Sequence, residues 1–202
     1  MFIDFLSLFF ILIGYFLGSI SFAVVVSKLM GLADPHTYGS RNPGATNVLR
    51  SGHKVAALLT LLGDALKSWL ALLLARHWGA VYGIDVQSGL LEWVGLAAFI
   101  GHVFPLFHRF AGGKGVATAL GVLFGLSGML GLATLMTWGV VAYLFRYSSL
   151  AAVIAAICAP FYYLLIVGHA MPAAIITFMS VLLMVRHKQN IKNLLSGTES
   201  RF

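Results

Sequence analysis

Residues Phe5 to Val26 form a run of 22 residues without a charge. In a helix rising 1.5 Å per residue, such a run crosses about 30 Å of hydrocarbon. Comparable runs recur along the chain, and only 9% of the residues are charged where a soluble domain carries about 25%. Charge this sparse cannot cover a water-facing surface. The mean hydropathy of +0.94 likewise excludes a disordered chain. Apolar runs of this length specify helices rather than barrel strands. The first run is read as a helix and not as a signal peptide, because acidic Asp4 precedes it, no basic segment does, and it is too long.

The expected fold is all-α: a polytopic integral membrane protein, a compact bundle of seven transmembrane helices, some of them short. The segments after the first run at about Val55–Trp78, Leu90–Phe107, Val116–Leu126, Leu132–Phe145, Leu150–Val167 and Pro172–Val185. The last four are separated by turns expected at Gly125–Gly131, Arg146–Ser149 and Gly168–Pro172. The shortness of three segments leaves a five-span count open. Either odd count puts the termini on opposite sides.

Basic loops stay in the cytoplasm. In the seven-helix arrangement one side gathers Lys28, Arg41, Arg50, Lys54, Arg109, Lys114, Arg146, Arg186, Lys188, Lys192 and Arg201, which is 11 of the 13 basic residues. The other side holds Arg76 with Asp4, Asp85 and Glu92. The N-terminus is therefore expected outside and the C-terminus in the cytoplasm. No repeat or boundary divides the chain, so residues 1–202 are expected to form a single transmembrane domain. Gly14 with Gly18, and Gly121 with Gly125, have the spacing that lets helix backbones approach closely.

Polar chemistry concentrates on the basic side. The stretch Gly39-Ser-Arg-Asn-Pro-Gly-Ala-Thr-Asn-Val-Leu-Arg50 lies in a connection of about twenty residues, whereas about 2 to 8 suffice to join two helices. Thr46 or Asn47 is a candidate helix cap presenting backbone N–H groups to an anion. The competing reading is an ordinary solvated positive loop. In Gly112-Gly-Lys-Gly-Val-Ala-Thr118 the glycines open a helix beside Lys114, which suits a phosphate cradle. It is not an ATP-binding loop, because His108 and Gly115 stand where that pattern needs Gly and Ser or Thr. In Arg186-His-Lys-Gln-Asn-Ile191, His187 and Asn190 share a helix face. Arg186 and Lys188 equally suit headgroup anchoring. Arg146-Tyr-Ser-Ser149 is a weaker element, with Ser149 a candidate helix cap. Asp64 and Lys67 lie three apart inside an apolar segment, and pairing within the bundle lowers their cost.

Other constellations are missing. No His precedes an Asp by five residues, no Gly-x-Ser-x-Gly elbow occurs, and six acidic residues form no carboxylate cluster. One cysteine, Cys158, permits no internal disulfide. A site of Arg, Lys, His and backbone donors without metal or other cofactor fits this inventory. The net charge of +7 points to a membrane face or a phosphorylated substrate, not to nucleic acid.

Ser40 through Arg50, Gly112 to Thr118 and the Arg-His-x-x-Asn-Ile run at 186–191 together resemble the bacterial acyl-phosphate:glycerol-3-phosphate acyltransferases. Gly18-Ser-Ile20 and Gly63-Asp-x-x-Lys67 add to the likeness, which spans nearly the whole chain. The resemblance implies a seven-helix protein of the bacterial inner membrane with its active site facing the cytoplasm. It implies transfer of a fatty acyl group from acyl phosphate to the 1-hydroxyl of glycerol 3-phosphate, giving lysophosphatidate and phosphate, the first step of phospholipid synthesis. The implied partners are acyl phosphate, glycerol 3-phosphate and membrane lipid, with other lipid-synthesis enzymes as a further candidate.

The resemblance assigns Ser40, Arg50, Lys114, His187 and Asn190 to catalysis. Asn42, Thr46, Asn47, Gly112, Gly113, Gly115, Arg146 and Ser149 fall to substrate binding, and Glu199 to structural integrity. Arg41 stands where the family usually has Gly, and Ser21 where it often has Pro. Apart from the resemblance, a transporter of an anionic phosphorylated solute is the alternative, since short Gly-interrupted helices suit that class. The one-sided distribution of the polar motifs favours an interfacial enzyme.

Overall fold

The computed structural model describes residues 5–84 and 89–201, and every regular element among them is helical. Asp4 and Asp85, counted above on the acidic side, lie outside the described residues. The helices are α1 (Phe5–Gly18), α2 (Phe22–Leu29), α3 (Ala45–Arg50), α4 (Lys54–Val81), α5 (Leu90–Val103), α6 (Val116–Leu126), α7 (Gly128–Phe145), α8 (Ser148–Ile166), α9 (Ala170–Arg186) and α10 (Lys188–Leu195). A 3-10 turn at Leu106–His108 follows α5.

Among the described residues, four helices are long and apolar enough to cross a membrane, and up to six spans result if each of two bent pairs is one span. The bent pairs are α1 with α2 (44°) and α9 with α10 (61°), and α6 is a shorter apolar helix. The exterior is oily. On α7, Met129, Leu132, Met136, Val140 and Tyr143 recur at helical spacing and are all exposed. The centre is α5, which packs against α1, α4, α6 and α9. Its Val94 and Phe99 are fully buried with Leu72, Val122 and Tyr163 in one core.

The first segment is not the continuous helix expected from Phe5 to Val26. It breaks between Gly18 and Phe22, where Ser19 and Ser21 sit. A break in hydrocarbon requires that the freed backbone groups be satisfied from elsewhere. Here α4 supplies the partners: Lys67 Nζ donates to the Ile20 carbonyl at 2.6 Å, and the Phe22 N–H donates to Asp64 Oδ1 at 3.4 Å. Asp64 and Lys67 also pair with each other at 2.8 Å, both buried, as their spacing predicted.

The glycine-rich turn expected at Gly125–Gly131 contracts to Ser127 alone, and α7 begins at Gly128. The glycines serve packing instead, since a Cβ on Gly125 would press on Leu72 and one on Gly131 on the Phe124 ring. Arg76, expected to face the outer side, donates to the carbonyls of Gly125 and Leu126, groups the end of α6 leaves without a helical partner. Gly14 and Gly18 pack onto the backbone of Val94 and Ala98 in α5, and Gly121 onto Ala65 in α4. These are the close approaches their spacing foretold.

Candidate functional site

One cavity of about 450 Å³ joins the polar stretches to the interior of the bundle. Its polar end is lined by Ser40, Asn42, Thr46, Asn47, Arg50, Lys114, Gly115, Ser148, Ser149, His187, Asn190 and Glu199, with Asp64 and His102 beside them. Its other end is apolar: Leu120, Leu123 and Phe124 of α6, Leu135 and Trp138 of α7, Ala152, Ala155, Ala156 and Ala159 of α8, and Ile176, Met179 and Leu183 of α9. The small alanines of α8 leave the space that larger side chains would fill.

The Ser40 loop is shaped from within. Asn47 is buried in α3, and its Oδ1 accepts the Ser40 N–H at 2.9 Å while its Nδ2 donates to the carbonyls of Pro35 (2.9 Å) and Tyr38 (3.3 Å). The expected side-chain cap from Thr46 or Asn47 is not formed; both lie inside α3, whose N-cap is Gly44. The Asn47 amide is spent on placing Ser40. Gly39, at φ +55°, is required twice over, because a Cβ there would also strike Asn47 Oδ1. Thr46 Oγ1 meets Ser148 Oγ at 3.3 Å, tying α3 to the start of α8.

The glycine stretch differs from the cradle expected of it. Gly112 and Gly113 are pressed against α5 and do not line the cavity. The Gly113 N–H donates to the His102 carbonyl at 3.2 Å, and Arg186 Nη2 holds the Gly112 carbonyl at 2.8 Å. Glycine is needed here for close approach: a Cβ on Gly112 would collide with the His102 carbonyl. Lys114 then turns inward, and its Nζ donates to Asn190 Oδ1 at 2.6 Å. Burial is the main cause holding the Lys114 pKa below its ordinary value; Glu199 opposes it, and the Arg50 and Arg186 charges add to it.

At the bend between α9 and α10, His187 is buried with Nδ1 2.8 Å from the Leu183 carbonyl. A carbonyl only accepts, so Nδ1 carries the proton and the neutral ring keeps its lone pair on Nε2. Glu199 gathers the neighbouring groups. Its Oε1 accepts from Ser149 Oγ (2.7 Å) and Asn190 Nδ2 (2.8 Å), and its Oε2 from Asn193 Nδ2 (3.3 Å). Burial alone would raise the Glu199 pKa, but these hydrogen bonds and the Lys114 charge together hold it below the ordinary value. Ser149 therefore binds Glu199 and does not cap α8, whose N-cap is Tyr147.

Arg50 reaches across to the Ser200 carbonyl at 3.4 Å, and Arg201 Nε donates to Tyr147 OH at 3.2 Å. The segment after α10 thus crosses the polar end. Arg146 sits exposed in a left-handed corner between α7 and α8, outside the cavity lining. Of the thirteen residues assigned to catalysis or substrate binding, ten line one cavity; Gly112, Gly113 and Arg146 do not. Ser148, Asp64 and His102 line it without having been assigned to the site. Arg186, for which headgroup anchoring was one of the readings open, braces the glycine loop. Nothing in a basic residue at a helix end distinguishes those two uses.

The sequence model of the glycerol-3-phosphate acyltransferase family matches residues 8–197. The chain is 60% identical over 195 residues to the glycerol-3-phosphate acyltransferase of Cupriavidus pinatubonensis, covering 96% of each chain. It is 62% identical over 188 residues to that of a Janthinobacterium species, covering 93% of this chain and 92% of the relative. Crystal structures of PlsY (YgiH), an integral membrane glycerol 3-phosphate acyltransferase, superpose with TM-scores of 0.87 for the glycerol 3-phosphate form and 0.86 for the lysophosphatidic acid form. Both are 38% identical and cover 97% of this chain and 95% of theirs.

Proposed function

Because the chain belongs to the glycerol-3-phosphate acyltransferase family, we propose that its cavity carries out acyl transfer from acyl phosphate to the 1-hydroxyl of glycerol 3-phosphate. The observation that carries this reading is the union of a cation- and amide-lined mouth with an apolar interior in one cavity. Two phosphorylated reactants require the first, and a fatty acyl chain requires the second.

Acyl phosphate is a mixed anhydride with a good leaving group, so positioning and charge neutralisation supply most of the rate. The substrate hydroxyl oxygen attacks the acyl carbon directly. The new ester C–O bond forms as the bond to the phosphate oxygen breaks, and phosphate departs with that electron pair. The hydroxyl proton passes to a substrate phosphate oxygen or to His187 Nε2, whose lone pair the Leu183 contact leaves free. Arg50 neutralises phosphate, Ser40 positions a reacting oxygen, and Lys114, His187 and Asn190 hold glycerol 3-phosphate. Asn42, Thr46, Ser149 and Gly115 line its surroundings. Asn47, Gly112 and Gly113 contribute by shaping the two loops. Arg146, at the corner beside Ser148, adds positive charge at the rim.

The whole chain works as one transmembrane domain in the bacterial inner membrane. Seven spans result when α1 with α2 counts as one and α4, α5, α6, α7, α8 and α9 as one each, with the N-terminus outside and the mouth facing the cytoplasm. The charge asymmetry of the loops supports this orientation. The product, lysophosphatidate, leaves into the lipid phase.

The test is an assay of purified protein with labelled glycerol 3-phosphate and either acyl phosphate or acyl-coenzyme A. Labelled lysophosphatidate from acyl phosphate alone is expected. Product only from acyl-coenzyme A would replace the donor, and solute flux across sealed vesicles without product would replace the enzyme by a transporter. Single-turnover trapping of an acylated Ser40 would replace direct attack by a covalent route. Impermeant labelling of a Lys114→Cys variant from the periplasmic side of intact cells would invert the orientation.

A further inference from the structure

We infer that His102 is a further substrate-binding residue, donating its Nε2–H to a phosphate oxygen held in the polar end of the cavity, and that Lys67 is the positioning residue that fixes this donor. The inference rests on the acyl-transfer reading above. It starts from the proton count of a buried ammonium. Lys67 Nζ has three protons and no acceptor capacity. Three acceptors surround it: the Ile20 carbonyl at 2.6 Å, Asp64 Oδ1 at 2.8 Å and His102 Nδ1 at 3.0 Å. The first two can only accept. His102 Nδ1 also lies 3.5 Å from Asp64 Oδ1, but the ammonium at 3.0 Å is nearer and a proton on Nδ1 would face an ammonium proton, so Nδ1 accepts. The His102 ring is therefore neutral with its proton on Nε2.

Among the described residues, Nε2 has no hydrogen-bond partner. Yet His102 is 7% exposed, lines the cavity, and turns its Nε2 edge toward Gly113, the residue before Lys114. A side chain on Gly113 would collide with Nε2, so the glycine keeps this edge uncovered. A neutral N–H with no protein partner needs an acceptor. A phosphate oxygen entering beside Lys114 supplies one through a charge-assisted hydrogen bond. Asp64 supports the arrangement by holding Lys67 charged and by accepting the Phe22 N–H at the break of the first span.

Two isosteric substitutions separate donation to substrate from structural support. His102→Asn places a carbonyl oxygen where Nδ1 was, so Lys67 keeps its third acceptor while the donor into the cavity is lost. His102→Gln places an amide N–H where Nε2 was, keeping the donor while Lys67 loses an acceptor. The expected result is that H102N unfolds near the wild-type temperature but loses about ten- to a hundredfold in kcat/KM. H102Q, though less stable, retains more activity. A rise confined to KM for glycerol 3-phosphate assigns the acceptor's phosphate; a rise confined to KM for acyl phosphate assigns the donor's. Either supports the inference. The reverse order, with H102N near wild-type turnover and H102Q the poorer enzyme, overturns it in favour of a structural role.

Should either variant fail to fold, 15N NMR of histidine-labelled wild-type protein decides the matter. The His102 proton is expected on Nε2, with that resonance shifting on addition of glycerol 3-phosphate or a non-hydrolysable acyl phosphonate. A proton on Nδ1, or no shift with either probe, overturns the inference. Wild-type protein that makes no lysophosphatidate defeats the acyl-transfer reading instead, so the two failures are distinguishable.

Discussion

Lys114 shows how one side chain takes its properties from neighbours remote in sequence. Among the described residues its hydrogen-bond partner is Asn190, 76 positions away, and that amide is in turn held by Glu199. Replacing Lys114 by Ala removes a charge-assisted contact to phosphate, so KM for glycerol 3-phosphate should rise about ten- to a hundredfold with less change in kcat. An unchanged KM would take Lys114 out of the phosphate site. Because its pKa is lowered from 10.5, chiefly by burial, Lys114 sheds its proton earlier than a solvated lysine. The alkaline fall in kcat/KM for glycerol 3-phosphate should therefore begin below that value, and Lys114→Arg should move it upward in a pH profile. For Glu199 the sign is opposite. Its folded-state pKa is depressed, so its contribution to stability is present above the ordinary value of 4.5 and fades as the pH falls through the lowered one. Thermal unfolding of Glu199→Gln across acid pH should show a lower but flatter curve than wild type.

At the scale of elements, glycine carries two different jobs that composition does not separate. Gly121 packs onto the Ala65 backbone, whereas nothing lies within 4 Å of where a Gly139 side chain would start. Gly121→Val should cost about 1–3 kcal/mol through overpacking between α6 and α4, while Gly139→Ala should leave stability unchanged or slightly higher. Equal effects in a thermal unfolding comparison would contradict the packing described here. The helices themselves were largely legible in the sequence. The boundaries of α6 agree with expectation to the residue, and those of α8 and α9 within two. The break after Gly18 was not legible, because an uncharged apolar run is equally compatible with one helix or two. What permits the break is a lysine and an aspartate on α4, more than forty positions away. The short α3 and α10 were legible only in part: a helix start was expected at Thr46 or Asn47 and a shared helix face at His187 and Asn190, but not their bounds, because each is amphipathic or polar and loops share that composition.

Across the whole molecule, the proposed reaction makes the cavity the element that sets which acyl chains are accepted. An acyl chain moving from bilayer to cavity exchanges one apolar surrounding for another, so discrimination by length is steric rather than hydrophobic. Ala159 lines the apolar end, and Ala159→Phe fills part of it. Overpacking of about 1–3 kcal/mol corresponds to roughly a five- to hundredfold loss in kcat/KM for a long-chain acyl phosphate. A short-chain donor should be spared; equal losses for both would show that Ala159 does not face the chain. The reaction proposed draws on cations, amides and substrate phosphates, so turnover should persist in a divalent chelator. Collapse with chelator and return with metal would overturn that proposal.

The sequence alone determined that this chain is a helical membrane protein and where most of its helices run, and it marked the polar stretches that carry the candidate site residues. Hydrocarbon permits few charges, so those retained mark chemistry or a helix end. Periodicity and composition carry such information because the bilayer acts on every segment separately. Only the tertiary structure decided that Asn47 shapes the Ser40 loop, that Gly112 and Gly113 press on α5, that Glu199 gathers Ser149 and Asn190, and that His102 joins the cavity lining with its Nε2 edge against Gly113. Each depends on contacts between segments distant in the chain, whose geometry no local pattern encodes.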